Sequence, residues 1–218
     1  MELLINPQFF LIPILIATFR MAVPFFLAGV GEVYSERAGV LNIGMEGFML
    51  CGALGGYFVA LRTGSPWLGA VGGMAAGGLL SLIHAYLSVT LGVDQIISGT
   101  GIWLFGEGIS GFLARTFIWK GTRAAAGAPQ FIPINTSWLA NVPVVGPILN
   151  AQNILFYVAI VLIILGSIVL FRTSFGLKIR AAGVNPLAAD DAGVSVFKVR
   201  YLGVLLCGLL SGLAGVSL

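Results

Sequence analysis

An all-α bundle of membrane-crossing helices is the fold class that this sequence predicts, on three observations. Hydrophobic residues make up 58% of the 218 and charged residues only 9%, with a mean hydropathy of +1.04, whereas soluble domains carry about 25% charge. Apolar runs of roughly 20 residues, the length that crosses a bilayer core of about 30 Å, recur between short polar breaks. The longest polar break, Arg172 to Arg200, is the feature around which the rest is laid out. One polytopic domain, residues 1–218, with about six spans is expected.

The start, MELLINPQ, carries Glu2 and no Lys or Arg. It lacks the basic region of a secretory signal, and the apolar run that follows is too long for a cleaved segment, so a retained helix is expected. Residues 9–30 form the first span. Pro13 and Pro24 predict a break or kink within it. Arg20 falls near its middle, where a guanidinium is costly unless it faces protein, water or a carboxylate. Residues 31–40 read as a polar turn. In the next stretch, Gly39 to Gly47, glycines surround Asn42 and Glu46, which predicts closely packed or partly unwound backbone. The apolar run that follows ends near Leu61.

A third span, 67–91, repeats glycine at Gly69, Gly73 and Gly77, a stripe suited to close helix contact. It holds the single histidine, His84; a lone histidine is more often an interior hydrogen-bonding residue than a ligand or proton relay. The fourth span, 95–117, carries Glu107 near its centre. Residues 106–111, GEGISG, spell the dinucleotide-binding pattern, but no strand precedes them and no βαβ unit surrounds them, so the match carries no binding. Residues 118–152, with Pro129, Pro133, Pro143 and Pro147, read as an external surface loop, and 153–171 as a fifth span. A sixth begins at Tyr201, with Gly208 and Gly212 spaced for packing. Only about 18 residues of it are present where roughly 20 are needed, so the sequence is expected to lack a C-terminal part of the pathway.

Within the 172–200 break, Asn185 followed by Pro186 reads as a helix start, with a capping side chain and a preset φ. Gly193 reads as its stop. The helix between them, 186–192, spans about 10 Å, too short to cross a bilayer or to fold alone. Asp190 and Asp191 fall in its last turn, where the helix dipole disfavours carboxylates. A helix selected only for its own stability would place Lys or Arg there.

The pI near 9.1 comes from 11 basic residues without any aromatic-interleaved cluster. It therefore reports membrane orientation rather than nucleic-acid binding. With 172–200 inside, that side holds Arg37, Arg172, Lys178, Arg180, Lys198 and Arg200. The outer side holds Arg62, Arg115, Lys120 and Arg123. Cys51 and Cys207 lie in apolar runs as small hydrophobes, with no disulfide or metal spacing. No phosphate-cradling P-loop, catalytic triad, carboxylate pair or cofactor motif is present. Energy for any transport is thus expected from another subunit, and no catalysis or cofactor from this chain.

Two stretches carry a resemblance: GVLNIGMEGFMLCGA at 39–53 and GLKIRAAGVNPLAADDAGV at 176–194. Together they resemble the permease subunits of bacterial ABC importers, in the inner-membrane translocator family serving nucleosides and simple sugars, and look most like its nucleoside branch. The resemblance implies a multi-pass protein of the bacterial inner membrane. Its implied partners are an ABC ATPase, a second permease subunit, an extracytoplasmic substrate-binding lipoprotein, membrane lipid and a small-molecule substrate. It also implies that the 172–200 loop is cytoplasmic and couples to the ATPase through Gly176, Arg180, Gly183, Asn185, Pro186, Ala188 and Ala189, beside which Asp190 and Asp191 would fix register. Asn42, Gly44, Glu46, Gly47, Arg20 and Glu107 are the candidate pathway or structural-motif residues. Arg20 is expected to pair with Glu107 or Glu46. The alternatives are a simple-sugar permease, or an ion-conducting or intramembrane enzymatic subunit built around Arg20, Glu46, His84 and Glu107. Channels need rings of repeated polar groups, and here such groups are scattered singly.

Overall fold

The structure, a computed structural model, describes residues 7–119, 127–134, 142 and 145–218. Lys120, Arg123 and Pro143 of the expected external loop, and Glu2, lie outside the described residues. Among those described the chain is all-helical, with a single isolated bridge between Pro133 and Asn153. The helices are α1 (Pro7–Arg37), α2 (Met45–Thr63), α3 (Pro66–Ala85), α4 (Gln95–Leu113), α5 (Val145–Asn150), α6 (Ile154–Arg172), α7 (Ser174–Val184), α8 (Pro186–Asp191) and α9 (Val196–Val216). π-Helical turns extend α3 over Tyr86–Thr90 and α4 over Ala114–Trp119.

Five of these helices are long and apolar enough to cross a membrane: α1, α3, α4, α6 and α9, with the π turns included. α2 has 19 residues, but Glu46 in its first turn and Arg62 in its last lower its apolarity. Contacts fix the relative directions. Gly52 meets Gly212 and Gly56 meets Val216, so α2 and α9 run parallel. Gly31 meets Cys207 while Gly203 meets Tyr34, so α1 runs against α9. Tyr34 bonds the Gly166 carbonyl and Phe19 packs on Phe156, so α6 runs with α1. The chain therefore alternates direction, with 172–200 at the same end as the α1–α2 connection.

α1 is helical without interruption from Pro7 to Arg37, through both prolines and through most of the expected polar turn. Each proline frees one carbonyl a turn earlier, at Phe9 and Arg20. The first lies at the helix start, and the second borders a cavity described below. The helix ends at Gly39, whose φ of 86° closes the last turn: Gly39 N–H donates to Glu36 O and Val40 N–H to Ser35 O, the double bond of a glycine-terminated C-cap.

α2, α3 and α9 pack through glycine at close range. Gly69 faces Gly56 and Ala60 of α2, whereas Gly77 faces Gly208 and Gly212 of α9. The three-glycine stripe thus makes the close helix contact that its spacing predicts, and the structure shows it serving two neighbours. In lipid no hydrophobic gain distinguishes helix contact from lipid contact, so close backbone approach is what holds such helices.

A Cβ built on Gly212 would collide with the Gly73 carbonyl, whereas one on Gly101 meets nothing. Gly212→Val should therefore destabilise the purified protein by about 1–3 kcal/mol, read as a lowered Tm in detergent. Gly101→Val should leave it near wild type. Equal Tm values for the two variants would contradict the packing.

Candidate functional site

Residues 38–44 are where the chain departs from regular helix inside the bundle. Met45 lies seven residues before Gly52, and Leu205 seven before its partner Gly212. α2 therefore begins level with Leu205, nine residues into α9 or about 14 Å along it. Non-helical backbone at such depth must find its hydrogen bonds in protein. Here four helices supply them. From α1, Ser35 Oγ donates to Val40 O at 2.7 Å and Glu32 Oε1 accepts from Asn42 N at 3.1 Å. From α4, Gln95 Oε1 accepts from Leu41 N at 2.7 Å and Gln95 Nε2 donates to Gly39 O at 3.4 Å. His84 of α3 stands 3.3 Å from Leu41 O through Nε2, and α9 contributes Arg200 Nε to Ala38 O at 3.3 Å.

His84 is fully buried, and its Nδ1 lies 3.0 Å from Ser98 Oγ. A carbonyl only accepts, so Nε2 carries the proton, and in the neutral ring Nδ1 accepts from the Ser98 hydroxyl. The histidine is a satisfied interior bridge, as its isolation in sequence predicts. At the centre of the cluster Asn42, itself buried, donates through Nδ2 to Cys207 Sγ at 3.2 Å. The Cys207 thiol in turn donates to Glu32 Oε2 at 3.2 Å. Cys207 is thus a hydrogen-bonding member of the site rather than the small hydrophobe expected. Asn42 Oδ1 is buried without a partner among the described residues. Gly44 and Gly47 let α2 start directly against α4, since a Cβ on Gly44 would lie 2.9 Å from Ile102 and one on Gly47 2.6 Å from its carbonyl.

On the other side of this segment, toward the 118–152 end, lies a cavity of about 890 Å³. Arg20, Leu50, Tyr57, Ser110, Phe131 and Asn153 are among its walls. Arg20 Nη2 donates to Ala151 O at 3.4 Å. Among the described residues no ion pair joins Arg20 to Glu107 or Glu46, which corrects the expected pairing. Its physical reason is exposure: Arg20 borders open space, and both carboxylates are exposed as well. Glu46 precedes Leu50 by four residues and Glu107 precedes Gly111 by four. Helical geometry therefore sets both on the cavity-facing sides of α2 and α4, one turn deeper than the walls. The GEGISG segment is plain helix within α4, with Gly106 against Gly47.

The 172–200 segment is more ordered than its sequence predicts. α8 is capped as expected, with Asn185 Oδ1 accepting from Ala188 N at 3.1 Å and Gly193 at φ 79°. An additional helix, α7, precedes it, capped by Thr173 Oγ1 accepting from Gly176 N at 3.2 Å. Of the expected coupling residues, Gly176 and Ala189 are buried against this chain's own helices. Gly183 packs on the Arg37 carbonyl, and Arg180 is half-buried over the Phe171 ring. Ala189 therefore faces the bundle. Asn185, Ala188, Asp190 and Asp191 are exposed, and Pro186 is partly so. Beside them stand two apolar residues that sequence reading passed over, Val184 at 87% and Leu187 at 79% exposure. Asx-Pro capping drew attention to the helix start, and only a three-dimensional view separates its outer face from its inner one.

Removing the Glu32 carboxylate would leave both the Asn42 N–H and the Cys207 thiol unsatisfied, at a cost of about 1–3 kcal/mol. In a Cys51→Ala background, Glu32→Ala should raise the labelling rate of Cys207 by a membrane-permeant maleimide about tenfold. An unchanged rate would contradict the cluster.

Comparison with known proteins agrees with this architecture. The branched-chain amino acid transport system / permease component family matches residues 14–218. The chain is 41% identical to a putative glucose ABC transporter permease of Haloferax volcanii over 203 residues, 93% of this chain and 61% of the relative. It is 38% identical to a guanosine ABC transporter permease of Bacillus subtilis over 208 residues, 91% of this chain and 64% of the relative. It is also 39% identical to a nucleoside ABC transporter permease of Lactococcus lactis over 199 residues, 88% of this chain and 62% of the relative. The chain thus spans less than two thirds of the length of each of these relatives. No solved structure matches it significantly. With an alternating bundle of apolar helices and a family match over nearly its whole length, the chain belongs to the branched-chain amino acid transport system / permease component family and is a multi-pass membrane protein.

Proposed function

We propose that this chain forms the greater part of the permease subunit of an ATP-driven importer for nucleosides in a bacterial inner membrane. Its α7–α8 corner would face the cytoplasm and dock a separate ABC ATPase. The observation that carries the docking is the pair Val184 and Leu187, uncovered on either side of the capped Asn185–Pro186 turn. Apolar side chains this exposed at the polar end of a bundle are anchors waiting for a pocket. Asn185, Pro186 and Ala188 complete the docking face, and Asp190 and Asp191 are placed to meet Arg or Lys of the partner, where a partly desolvated pair contributes more than an exposed one. Gly176 and Gly183 serve by letting α7 lie on α6 and α1.

On this reading Arg20, Glu46 and Glu107 line the route of a polar solute, with Asn42, Gly44 and Gly47 fixing its inner end. A second permease subunit would close the route, and an extracytoplasmic binding lipoprotein would deliver substrate to its outer end. Relatives named for guanosine and nucleoside transport support nucleosides as the substrate class. The relative named for glucose supports simple sugars as the second reading.

Three measurements on the full-length permease test this. Ser174→Cys or Ser195→Cys should resist impermeant thiol reagents in intact cells; labelling from outside would reverse the orientation. Val184→Asp with Leu187→Asp should keep wild-type membrane levels while ATPase retention on the purified complex falls about tenfold, and Asp190→Asn with Asp191→Asn should lower retention at low salt and make it less salt-sensitive. Undiminished retention in the first pair would refute the docking face. Uptake of labelled guanosine should be competed by adenosine and not by glucose; the reverse would favour the sugar reading.

A further inference from the structure

Where α1, α6 and α7 meet, two guanidinium groups converge on one aromatic ring. The guanidinium carbon of Arg180 lies 5.4 Å from the Phe171 centroid and that of Arg37 lies 6.0 Å from it. The arginines are brought together by backbone packing, because Gly183 presses α7 onto the Arg37 carbonyl and Gly39. Among the described residues neither has an ion-pair partner, and Arg180 Nε is buried with no hydrogen bond. Glu36, the adjacent acid on α1, is exposed and pairs with neither. A ring face offsets only about 0.5–1 kcal/mol per exposed cation, which leaves two neighbouring positive charges and an unused buried donor. That combination suits a multivalent oxyanion, and guanidinium groups bind phosphate through paired N–H donors.

A second observation bears on what carries the phosphate. Leading away from Phe171 into the membrane, α6 exposes Val161, Ile164, Leu165, Ile168 and Phe171 at 51, 55, 51, 48 and 49%. Their spacing puts them on one helix face, a stripe about 15 Å long with the arginines at its polar end. Free phosphate would gain nothing from such a stripe, whereas an acyl chain would lie along it.

We propose that Arg37, Arg180 and Phe171 form a binding site for the headgroup phosphate of an anionic phospholipid whose acyl chain follows the α6 stripe. The lipid neutralises the arginine pair and fastens α7 to the end of α1. Phe171 orients both guanidinium groups, and the exposed Arg37 and half-buried Arg180 present their outer N–H donors to the phosphate. This site differs from the ATPase-docking face, which is centred on Val184 and Leu187 at the α7–α8 corner.

The test uses the full-length permease with its partner subunits, purified from nanodiscs holding phosphatidylglycerol and phosphatidylcholine, with native mass spectrometry counting the lipids retained. Wild type should retain phosphatidylglycerol over phosphatidylcholine by about tenfold. Arg37→Gln with Arg180→Gln should reduce that preference to about twofold or less, while Arg172→Gln with Lys178→Gln, on the same end of the bundle, should keep it. No preference in wild type, or an undiminished one in the arginine pair, overturns the site. Displacement of the retained lipid by millimolar inorganic phosphate overturns the lipid assignment in favour of a free-anion site. A second measurement leaves both arginines in place: the fluorescence of Phe171→Trp should be quenched more strongly by brominated phosphatidylglycerol than by brominated phosphatidylcholine. Equal quenching, or none because another subunit covers the stripe, also overturns it.

Discussion

The backbone of residues 38–44 leaves helical geometry at depth in the bundle, where unpaired polar groups are costly. That constraint organises the structure around it. Ser35 and Glu32 of α1, His84 of α3, Gln95 of α4 and Arg200 of α9 each spend a side chain on this segment. A buried unsatisfied amide costs more than a typical hydrogen bond contributes, so the donors and acceptors must be present together. The same requirement explains why polar residues are scattered singly through otherwise apolar helices. They converge on one stretch of chain rather than forming the repeated rings of a channel.

Starting α2 at depth has consequences on both sides. It sets Glu46 at depth along the bundle rather than at its polar end, exposed and on the same side of α2 as the cavity wall. It also leaves α2 only 19 residues to reach the opposite face, and the glycine contacts with α3, α4 and α9 hold that short helix in place. Toward the other end, Gly183 touches both Arg37 and Gly39, at the root of the non-helical segment. A displacement of the α7–α8 corner would therefore reach the segment through one layer of packed backbone, a contiguous route of the kind that coupling between sites requires.

Much of this was legible in the sequence because the determinants are local. Apolar run length located the spans, Asn185–Pro186 and Gly193 delimited α8, and glycine clustering around Asn42 marked the irregular segment. What escaped was non-local. Glu32 read as part of a surface turn because its neighbours Glu36 and Arg37 are polar, although helix α1 carries it four residues beneath Glu36 to meet Cys207. Cys207 has an apolar sequence environment, and only its closeness to Gly31 puts the thiol beside a carboxylate. Arg20 and Glu107 invited pairing because each is a charge near mid-span, yet Arg20 borders the cavity and Glu107 is exposed a turn away from its wall. The inward turn of Ala189 depends on how α8 lies on its neighbours, which periodicity over 6 residues cannot fix.

Backbone hydrogen exchange in lipid nanodiscs tests the central claim most directly. Residues 38–44 have no regular helix to protect them, but Leu41 N–H is bonded to Gln95 and Asn42 N–H to Glu32 inside the bundle. Peptides covering this segment should exchange as slowly as those from the body of α2 and far more slowly than the exposed turn at 192–195. Exchange of 38–44 as fast as that turn would contradict the account.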